Sequence, residues 1–314
     1  MIATVTLNPS IDRELRLADF DIGGVNRAQL TNLDPGGKGV NVSRALTSYG
    51  VPTFAILVGG ELGGRWFDER LTQAQVPHEV VMATGVTRSN LTIVEANGTV
   101  TKINENGFAI TDEILNEVRA ALARLNLRDH WVVFAGRLNQ GAASDTYRDL
   151  AQYARSLGAR VAIDASDKEL RDSLWDDGPD LIKPNQHELA SIVGRDLATI
   201  EAVIEAAREV LATGVKLIVC SLGADGALYI SKDVVVHAEP RHPVSGVPVG
   251  AGDILLATFL AGGATPQALA GAVAWSAASV KLPGTAIPTP AQAAEIDVVV
   301  HTAVDTGRTL VEVA

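Results

Sequence analysis

Cysteine, methionine and aromatic residues are scarce in this chain. Its 314 residues include one cysteine, two methionines and only 4% aromatic residues. A single cysteine cannot form a disulfide within the chain, and the apolar run that contains Cys220, residues 217–220, is typical of a small buried residue rather than a nucleophile. Hydrophobic residues nevertheless make up 47% of the sequence. We therefore predict a sizeable core built mainly from Ala, Val, Leu and Ile.

An excess of positive charge and long apolar runs are also lacking. The chain has 26 Lys and Arg against 37 Asp and Glu, which gives a formal net charge of −11. This balance argues against a general nucleic-acid binder and against a membrane-surface protein. No uncharged apolar stretch has membrane-spanning length, and residues 2–7 are typical of a strand rather than a signal peptide. We expect a cytoplasmic protein that attracts any anionic ligand through local Lys, Arg, metal and N–H groups.

Short β-rich runs alternate with helical patterns along most of the chain. Strands are predicted at 53–58, 131–135, 160–164, 180–183 and 216–221, and helices at 112–125, 144–157 and 199–213. This alternation favours an α/β fold in which helices cover both faces of a mostly parallel sheet. Ligands bind such sheets at the carboxyl ends of the strands.

Two regions, about 11–33 and 86–106, interrupt the alternation. In the second, Asn97-Gly98 stands between two alternating segments, which is the strongest short-range signal of a β-hairpin. We expect both regions to form a small antiparallel sheet that projects from a single domain spanning residues 1–314. Such a sheet could be an edge hairpin without function, a lid over an active site, or the contact of a homodimer.

The segment Gly250-Ala251-Gly252-Asp253 leads directly into an apolar run, residues 254–261. A glycine turn at the start of a helix presents unpaired N–H groups and the positive end of the helix dipole to an anion. A carboxylate at such a place suggests phosphoryl transfer, with Asp253 as the base that removes a hydroxyl proton. The alternative is an ordinary glycine turn in which Asp caps the helix.

Two motifs in the first half of the chain have the composition of ligand-binding loops. Residues 35–41 hold three glycines, and Asn41 can donate to and accept from a sugar hydroxyl, which favours a ligand loop over a tight turn. Asp12 follows the first predicted strand, where it could accept two sugar hydroxyls or belong to a turn.

Two further motifs lie in the second half. Asn185 and Glu188 stand three residues apart, so they could face one hydrated Mg²⁺ or form a capping box that needs no metal. Residues 221–228 link two predicted strands by a turn, whose backbone would lie along the nucleotide in a kinase.

Taken together and in this order, these motifs resemble the ribokinase-like sugar kinases of the phosphofructokinase-B type over nearly the whole chain. The resemblance implies a three-layer α/β/α domain with a small β-sheet lid. Residues 4–13, 25–27, 87–90 and 102–105 are most similar to 1-phosphofructokinases and tagatose-6-phosphate kinases, which phosphorylate an already phosphorylated ketohexose.

The resemblance also implies a role for individual residues. Asp253 would be the base, beside an anion hole formed by Gly250, Ala251 and Gly252. The sugar would be bound by Asp12, Gly37, Lys38 and Asn41, and its phosphate by Arg88, with Arg27 as a further cation. The ATP site would be formed by Lys183, Asn185, Ser221, Gly223 and Gly226, with Asn185 and Glu188 organising Mg²⁺ through water.

Four places depart from the pattern of these kinases. Ile254 stands where a serine is usual, and Pro248 where a threonine is usual. Arg137 replaces a serine, where it could add a cation to the sugar phosphate or block the pocket. Residues 164–167 read Asp-Ala-Ser-Asp where Asp-Thr-Ser-Gly is frequent. We predict an ATP-dependent kinase that converts fructose 1-phosphate to fructose 1,6-bisphosphate. Tagatose 6-phosphate and fructose 6-phosphate are the alternative substrates, and a weakly active sugar-phosphate sensor on a kinase scaffold is the alternative of another class.

Overall fold

The computed structural model describes residues 1–246 and 248–311. The strands are β1 (Ile2–Thr6), β2 (Ser10–Leu17), β3 (Gln29–Gly36), β4 (Thr53–Gly60), β5 (His78–Ala83), β6 (Arg88–Glu95), β7 (Val100–Asn104), β8 (Trp131–Ala135), β9 (Arg160–Asp164), β10 (Leu181–Ile182), β11 (Leu217–Ser221), β12 (Ala227–Ser231), β13 (Val235–Pro240) and β14 (Val298–His301). The helices are α1 (Lys38–Ser48), α2 (Gly63–Gln73), α3 (Asp112–Ala123), α4 (Thr146–Ser156), α5 (Asp167–Asp172), α6 (Gln186–Val193), α7 (Ile200–Leu211), α8 (Ala251–Ala261), α9 (Ala268–Val280) and α10 (Pro290–Ala294).

A large sheet of ten strands organises the molecule, in the order β14-β13-β12-β11-β10-β9-β8-β1-β4-β5. The pairs from β5 through to β11 are parallel, and those from β11 to β14 are antiparallel. The change occurs because only a short turn joins β11 to β12, and a parallel pair needs a longer crossover. The predicted α/β fold with a mostly parallel sheet is confirmed.

Helices cover both faces of this sheet. Successive residues of β1 enter opposite cores: Ala3 and Val5 pack with α3, α4 and α7, whereas Ile2 packs with α1, α8 and α9. Helix α8 is buried on nearly its whole circumference, which explains an apolar run without helical periodicity. Cys220 is fully buried, as predicted, and burial raises the pKa of its thiol to about 12. Among the described residues, no helix is both long and apolar enough to cross a membrane.

A second, smaller sheet has the order β3-β2-β6-β7 and is formed by the two regions predicted to pair. The expectation that it is antiparallel throughout is wrong, because its central strands β2 and β6 are parallel. They follow β1 and β5, whose carboxyl ends lie at the same edge of the large sheet, so both leave that edge in the same direction. The return strands β3 and β7 then pair antiparallel on the outside.

Candidate active site

A cavity of about 620 Å³ lies at the carboxyl ends of the parallel strands, and the small sheet contributes one of its walls. It gathers most of the predicted site residues, which come from widely separated parts of the sequence. Those that line it are Asp12, Gly37, Lys38, Asn41, Arg88, Lys183, Asn185, Glu188, Ser221, Gly223, Gly226, Gly250, Ala251, Gly252 and Asp253. Ser10 and Asn90, for which the sequence suggested no role, also line it.

Two predicted arginines are not among the residues that line the cavity. Arg27 is exposed in the connection between β2 and β3. Arg137 is exposed after β8, close enough to Arg88 for their charges to interact. Their contact with a sugar phosphate stays a prediction.

Helix α8 begins at the cavity. Gly250, its N-cap, has φ 73°, a left-handed conformation that glycine adopts without strain. The first N–H groups of a helix have no partner within it, so those of Ala251 and Gly252 can bind an anion. Because Gly252 has no side chain, Lys183 can approach closely: a Cβ there would lie 3.1 Å from Lys183 Nζ. The start of the helix therefore combines N–H donors with an ammonium group.

Asp253 occupies the third position of this helix and is 6% exposed. Its Oδ2 accepts a hydrogen bond from Asn41 Nδ2 at 2.8 Å. Burial, followed by the charge of Asp164, raises the pKa of Asp253 to about 7, while Lys38, Asn41 and Lys183 oppose the rise. A carboxylate with this pKa can both accept and release a proton near neutral pH, as a general base must.

Asp164, the last residue of β9, is fully buried between two ammonium groups. Its Oδ1 accepts from Lys38 Nζ at 2.8 Å, and its Oδ2 lies 3.3 Å from Lys183 Nζ. Burial alone would lower the pKa of Lys38, but the carboxylates of Asp164, Glu188 and Asp253 raise it instead. Lys38 therefore stays protonated at the cavity, where it can bind phosphate oxygens.

Sequence reasoning assigned no role to Asp164. One available signal was its position, because an acidic residue at the carboxyl end of a buried parallel strand stands where such sheets bind ligands. Its two lysines are 126 and 19 positions away in sequence, so the pairing itself could not be read from a local pattern.

The small sheet supplies the polar wall opposite α8. Asp12 Oδ1 accepts from Ser10 Oγ at 2.7 Å and from Asn90 Nδ2 at 3.0 Å. Burial raises the pKa of Asp12, and these two hydrogen bonds oppose the rise. Arg88 is held by its Nε, which donates to the carbonyl of Asn8 at 3.2 Å. The wall thus offers a carboxylate for hydroxyl groups and a guanidinium for a phosphate.

Asn185 and Glu188 form the capping box that the sequence offered as the alternative to a metal site. Asn185 Oδ1 accepts from the Glu188 N–H at 2.8 Å, and Glu188 Oε2 accepts from the Asn185 N–H at 2.9 Å. Glu188 Oε1 accepts from Ser166 Oγ at 2.8 Å. Since these oxygens already bind protein donors, the pair fits a Mg²⁺ ion that keeps its own waters rather than one ligated directly.

The remaining part of the cavity is lined largely by apolar side chains. Ser221 ends β11, and the turn Gly223–Asp225 leads into β12. Apolar side chains continue this wall: Leu222, Val244, Val273, Ala277 and Val280. Such a surface suits the base of a nucleotide whose phosphates point toward α8.

Comparison with known proteins agrees with this geometry. The pfkB family carbohydrate kinase model matches residues 6–292. The chain belongs to this family. As a carbohydrate kinase, it uses ATP as a substrate.

The chain is similar to known relatives and to solved structures over most of its own length and of theirs. The chain is 36% identical over 265 residues to the 1-phosphofructokinase of Rhodobacter capsulatus, covering 82% of each chain. It is 33% identical to the 1-phosphofructokinase of Bacillus subtilis, covering 83% of this chain and 85% of the relative. The structure of phosphofructokinase-2 from Escherichia coli in complex with potassium superimposes with a TM-score of 0.87 at 29% identity, over 94% of this chain and 97% of that one.

The departures from the family pattern leave the cavity walls largely intact. Ile254 is 4% exposed and packs in the core between α8 and the sheet rather than lining this cavity. Pro248 does line the cavity, and Arg137 lies outside it. Ile254 instead lines a small neighbouring pocket with Asn41, Gly250 and Thr285, so the loss of the hydroxyl changes packing beside the helix start and not the wall of the main cavity.

Proposed function

We propose that this kinase phosphorylates fructose 1-phosphate to fructose 1,6-bisphosphate at the expense of ATP. The observation that carries the proposal is the buried Asp253 at the start of α8, facing one cavity with three cationic side chains: Lys38, Arg88 and Lys183. The choice of substrate is supported by the 1-phosphofructokinases of R. capsulatus and B. subtilis, which the chain resembles over 82–83% of its length.

The proposed reaction is an in-line transfer. Asp253 accepts the proton of the sugar hydroxyl while that oxygen forms a bond to the γ-phosphorus and the bond to the ADP oxygen breaks. The N–H groups of Ala251 and Gly252, with Lys183, stabilise charge on the transferring group, and Lys38 binds its oxygens. Asn185 and Glu188 would hold Mg²⁺ through water; when bound, the ion neutralises charge on the phosphates of ATP.

A panel of sugar phosphates tests the function. ADP release with Mg-ATP is measured by a coupled assay for fructose 1-phosphate, fructose 6-phosphate and tagatose 6-phosphate. We expect the highest kcat/KM with fructose 1-phosphate. Fructose 6-phosphate is the second candidate, because the similar E. coli phosphofructokinase-2 has been solved in complex with it. Folded protein that turns over none of the three would contradict the proposal, and tight binding without turnover would favour a sensor.

Arg88 is proposed to bind the phosphate already on the sugar, with Arg137 and Arg27 as additional cations. Arg88→Lys is expected to raise KM for the sugar phosphate about tenfold or more with a smaller change in kcat, because an ammonium cannot replace a bidentate guanidinium. Steady-state kinetics at saturating ATP measure this. Arg195→Lys is the control, since Arg195 is exposed on the main domain and pairs with Glu209 on the surface. A KM equal to wild type in Arg88→Lys would remove Arg88 from this role.

We further propose that the small sheet is both a lid and a homodimer contact of a single cytoplasmic domain. Leu30, Val100 and Ile103, on its two outer strands, are 46%, 41% and 47% exposed, and several exposed apolar side chains on one small sheet support an interface. Sedimentation velocity is expected to give a dimer for wild type and a monomer for Ile103→Asp, with Val234→Asp, exposed on the main domain, as control. A wild-type monomer at all concentrations would contradict the contact.

A further inference from the structure

Arg44 lies on α1 one turn after Asn41, outside every motif that the sequence analysis singled out. It is not among the residues that line the cavity. Its Nη1 lies within hydrogen-bond distance of three acceptors, between which its two N–H groups are shared: Thr285 Oγ1 at 3.0 Å, the Pro35 carbonyl at 3.3 Å and Asn41 Oδ1 at 3.4 Å. A single guanidinium nitrogen therefore joins α1, the inner end of β3 and the segment after α9.

The contact with Asn41 fixes which way that amide points. Arginine can only donate hydrogen bonds, so the Asn41 atom that faces it must be the carbonyl oxygen. The amide nitrogen is then directed to Asp253, where it donates to Oδ2 at 2.8 Å. Donation to a carboxylate favours its ionised form, which is the form that can accept a proton from the substrate.

The other two contacts tie this pair to the small sheet and to the start of α8. Pro35 belongs to β3 and pairs with Ile11 of β2, so its carbonyl marks where the small sheet joins the main domain. Thr285 lies against the helix start, since a Cβ on Gly250 would be 3.5 Å from Thr285 Cγ2. The charged groups that act on Arg44 come from the small sheet as well: Asp34 on β3 and Asp12 on β2.

We propose that Arg44 is a positioning residue for phosphoryl transfer. It orients the Asn41 amide, and through it the Asp253 carboxylate, and it anchors both to Pro35 at the end of β3. This rests on the proposed role of Asp253 as base. The role is distinct from sugar binding, because Arg44 acts only through Asn41, Pro35 and Thr285.

The pH dependence of kcat separates this role from a structural one. The charged groups that act on Asp253 are Asp164 from β9, Lys38 from α1 and Lys183 after β10, and Arg44→Lys replaces none of them. Lysine keeps the charge, but its flexible side chain ends one atom short of Nη1, so its ammonium is not held where the three acceptors converge. With Asn41 released, the ionised form of Asp253 loses a donor, so the acidic limb of the kcat profile is expected to move up by about half a pH unit or more.

The experiment compares kcat between pH 5.5 and 9 for wild type, Arg44→Lys and Arg44→Met, with Arg195→Lys as control because Arg195 is exposed and pairs with Glu209 on the surface. We expect kcat of the Arg44 variants to fall several-fold at pH 7 and to approach wild type at pH 9. An unchanged limb with an equal loss at every pH would overturn the proposal. Wild-type protein without turnover would instead refute the proposed function.

A measurement without turnover decides the proposal if the enzyme is inactive. In protein labelled with ¹⁵N-asparagine, the side-chain amide of Asn41 is assigned from its absence in Asn41→Ser. Its hydrogen exchange is expected to be at least tenfold slower in wild type than in Arg44→Lys, whereas the amide of Asn97, which lies exposed in the β6–β7 turn, should exchange equally in both. Equal exchange of the Asn41 amide in the two proteins would show that Arg44 does not hold it and would overturn the inference.

Discussion

Asp253→Asn is expected to lower kcat by about 10³-fold while ATP still binds. The amide keeps the size of the side chain and can still pair with Asn41, but it cannot accept the proton of the attacking hydroxyl, and a general base contributes about 10²–10⁴-fold to a rate. Calorimetry should give an ATP affinity within a few-fold of wild type, because a base acts on the chemical step.

The pH profile strengthens this test. Asp253 must be ionised to act as a base, so wild-type kcat should fall as the pH drops through about 7, the value to which burial and Asp164 raise the pKa of Asp253. The residual activity of Asp253→Asn should lack this limb. A variant that retains near-normal kcat, or the same limb, would assign the base to another residue.

Asp164→Asn is expected to cost about 3–5 kcal/mol of stability and to impair catalysis. The neutral amide leaves Lys183, whose side chain is 5% exposed, without its carboxylate and removes the nearer of two carboxylates from Lys38. Removing one partner from a buried ion pair leaves an uncompensated charge. In this chain the loss should appear as a fall in Tm on the order of 5–10 °C, measured by calorimetry.

The same variant should shift the pH profile in a direction opposite to the Arg44 variants. Loss of the negative charge of Asp164 removes a cause of the raised pKa of Asp253, so the acidic limb should move to lower pH. The matched control is Asp297→Asn, whose exposed pair with Arg241 is worth little. A Tm within 2 °C of wild type for Asp164→Asn would show that the buried cluster is not held by this carboxylate.

The large sheet could be predicted from the sequence because parallel strands are buried on both faces. The strands at 131–135 and 160–164 coincide with β8 and β9, since each contains a short apolar run, 131–135 and 161–163, flanked by helical patterns. The pairing of strands in the small sheet was harder to predict. The Asn97-Gly98 turn specifies β6 with β7, but the parallel pairing of β2 with β6 depends on where β1 and β5 end in three dimensions, which no local pattern records.

The candidate site was predictable where a motif carries its own chemistry. Gly250, Gly252 and Asp253 could be identified because the unpaired N–H groups at a helix start bind anions, and a carboxylate beside them suggests a base. The roles of Asp164 and Arg44 could not be predicted from the sequence, because they depend on contacts with residues that are distant in the chain. Asn185 and Glu188 show the opposite case, in which a local pattern has two meanings and the capping box is formed whether or not Mg²⁺ is bound.

The measurement that tests the central claim most directly is product analysis by ³¹P NMR. Wild-type protein with fructose 1-phosphate and Mg-ATP should yield ADP and a second phosphomonoester signal on the sugar, matching authentic fructose 1,6-bisphosphate, while Asp253→Asn should yield neither over the same time. ATP consumption without a new sugar ester, or equal product from the Asp253→Asn variant, would contradict the proposed kinase and its base.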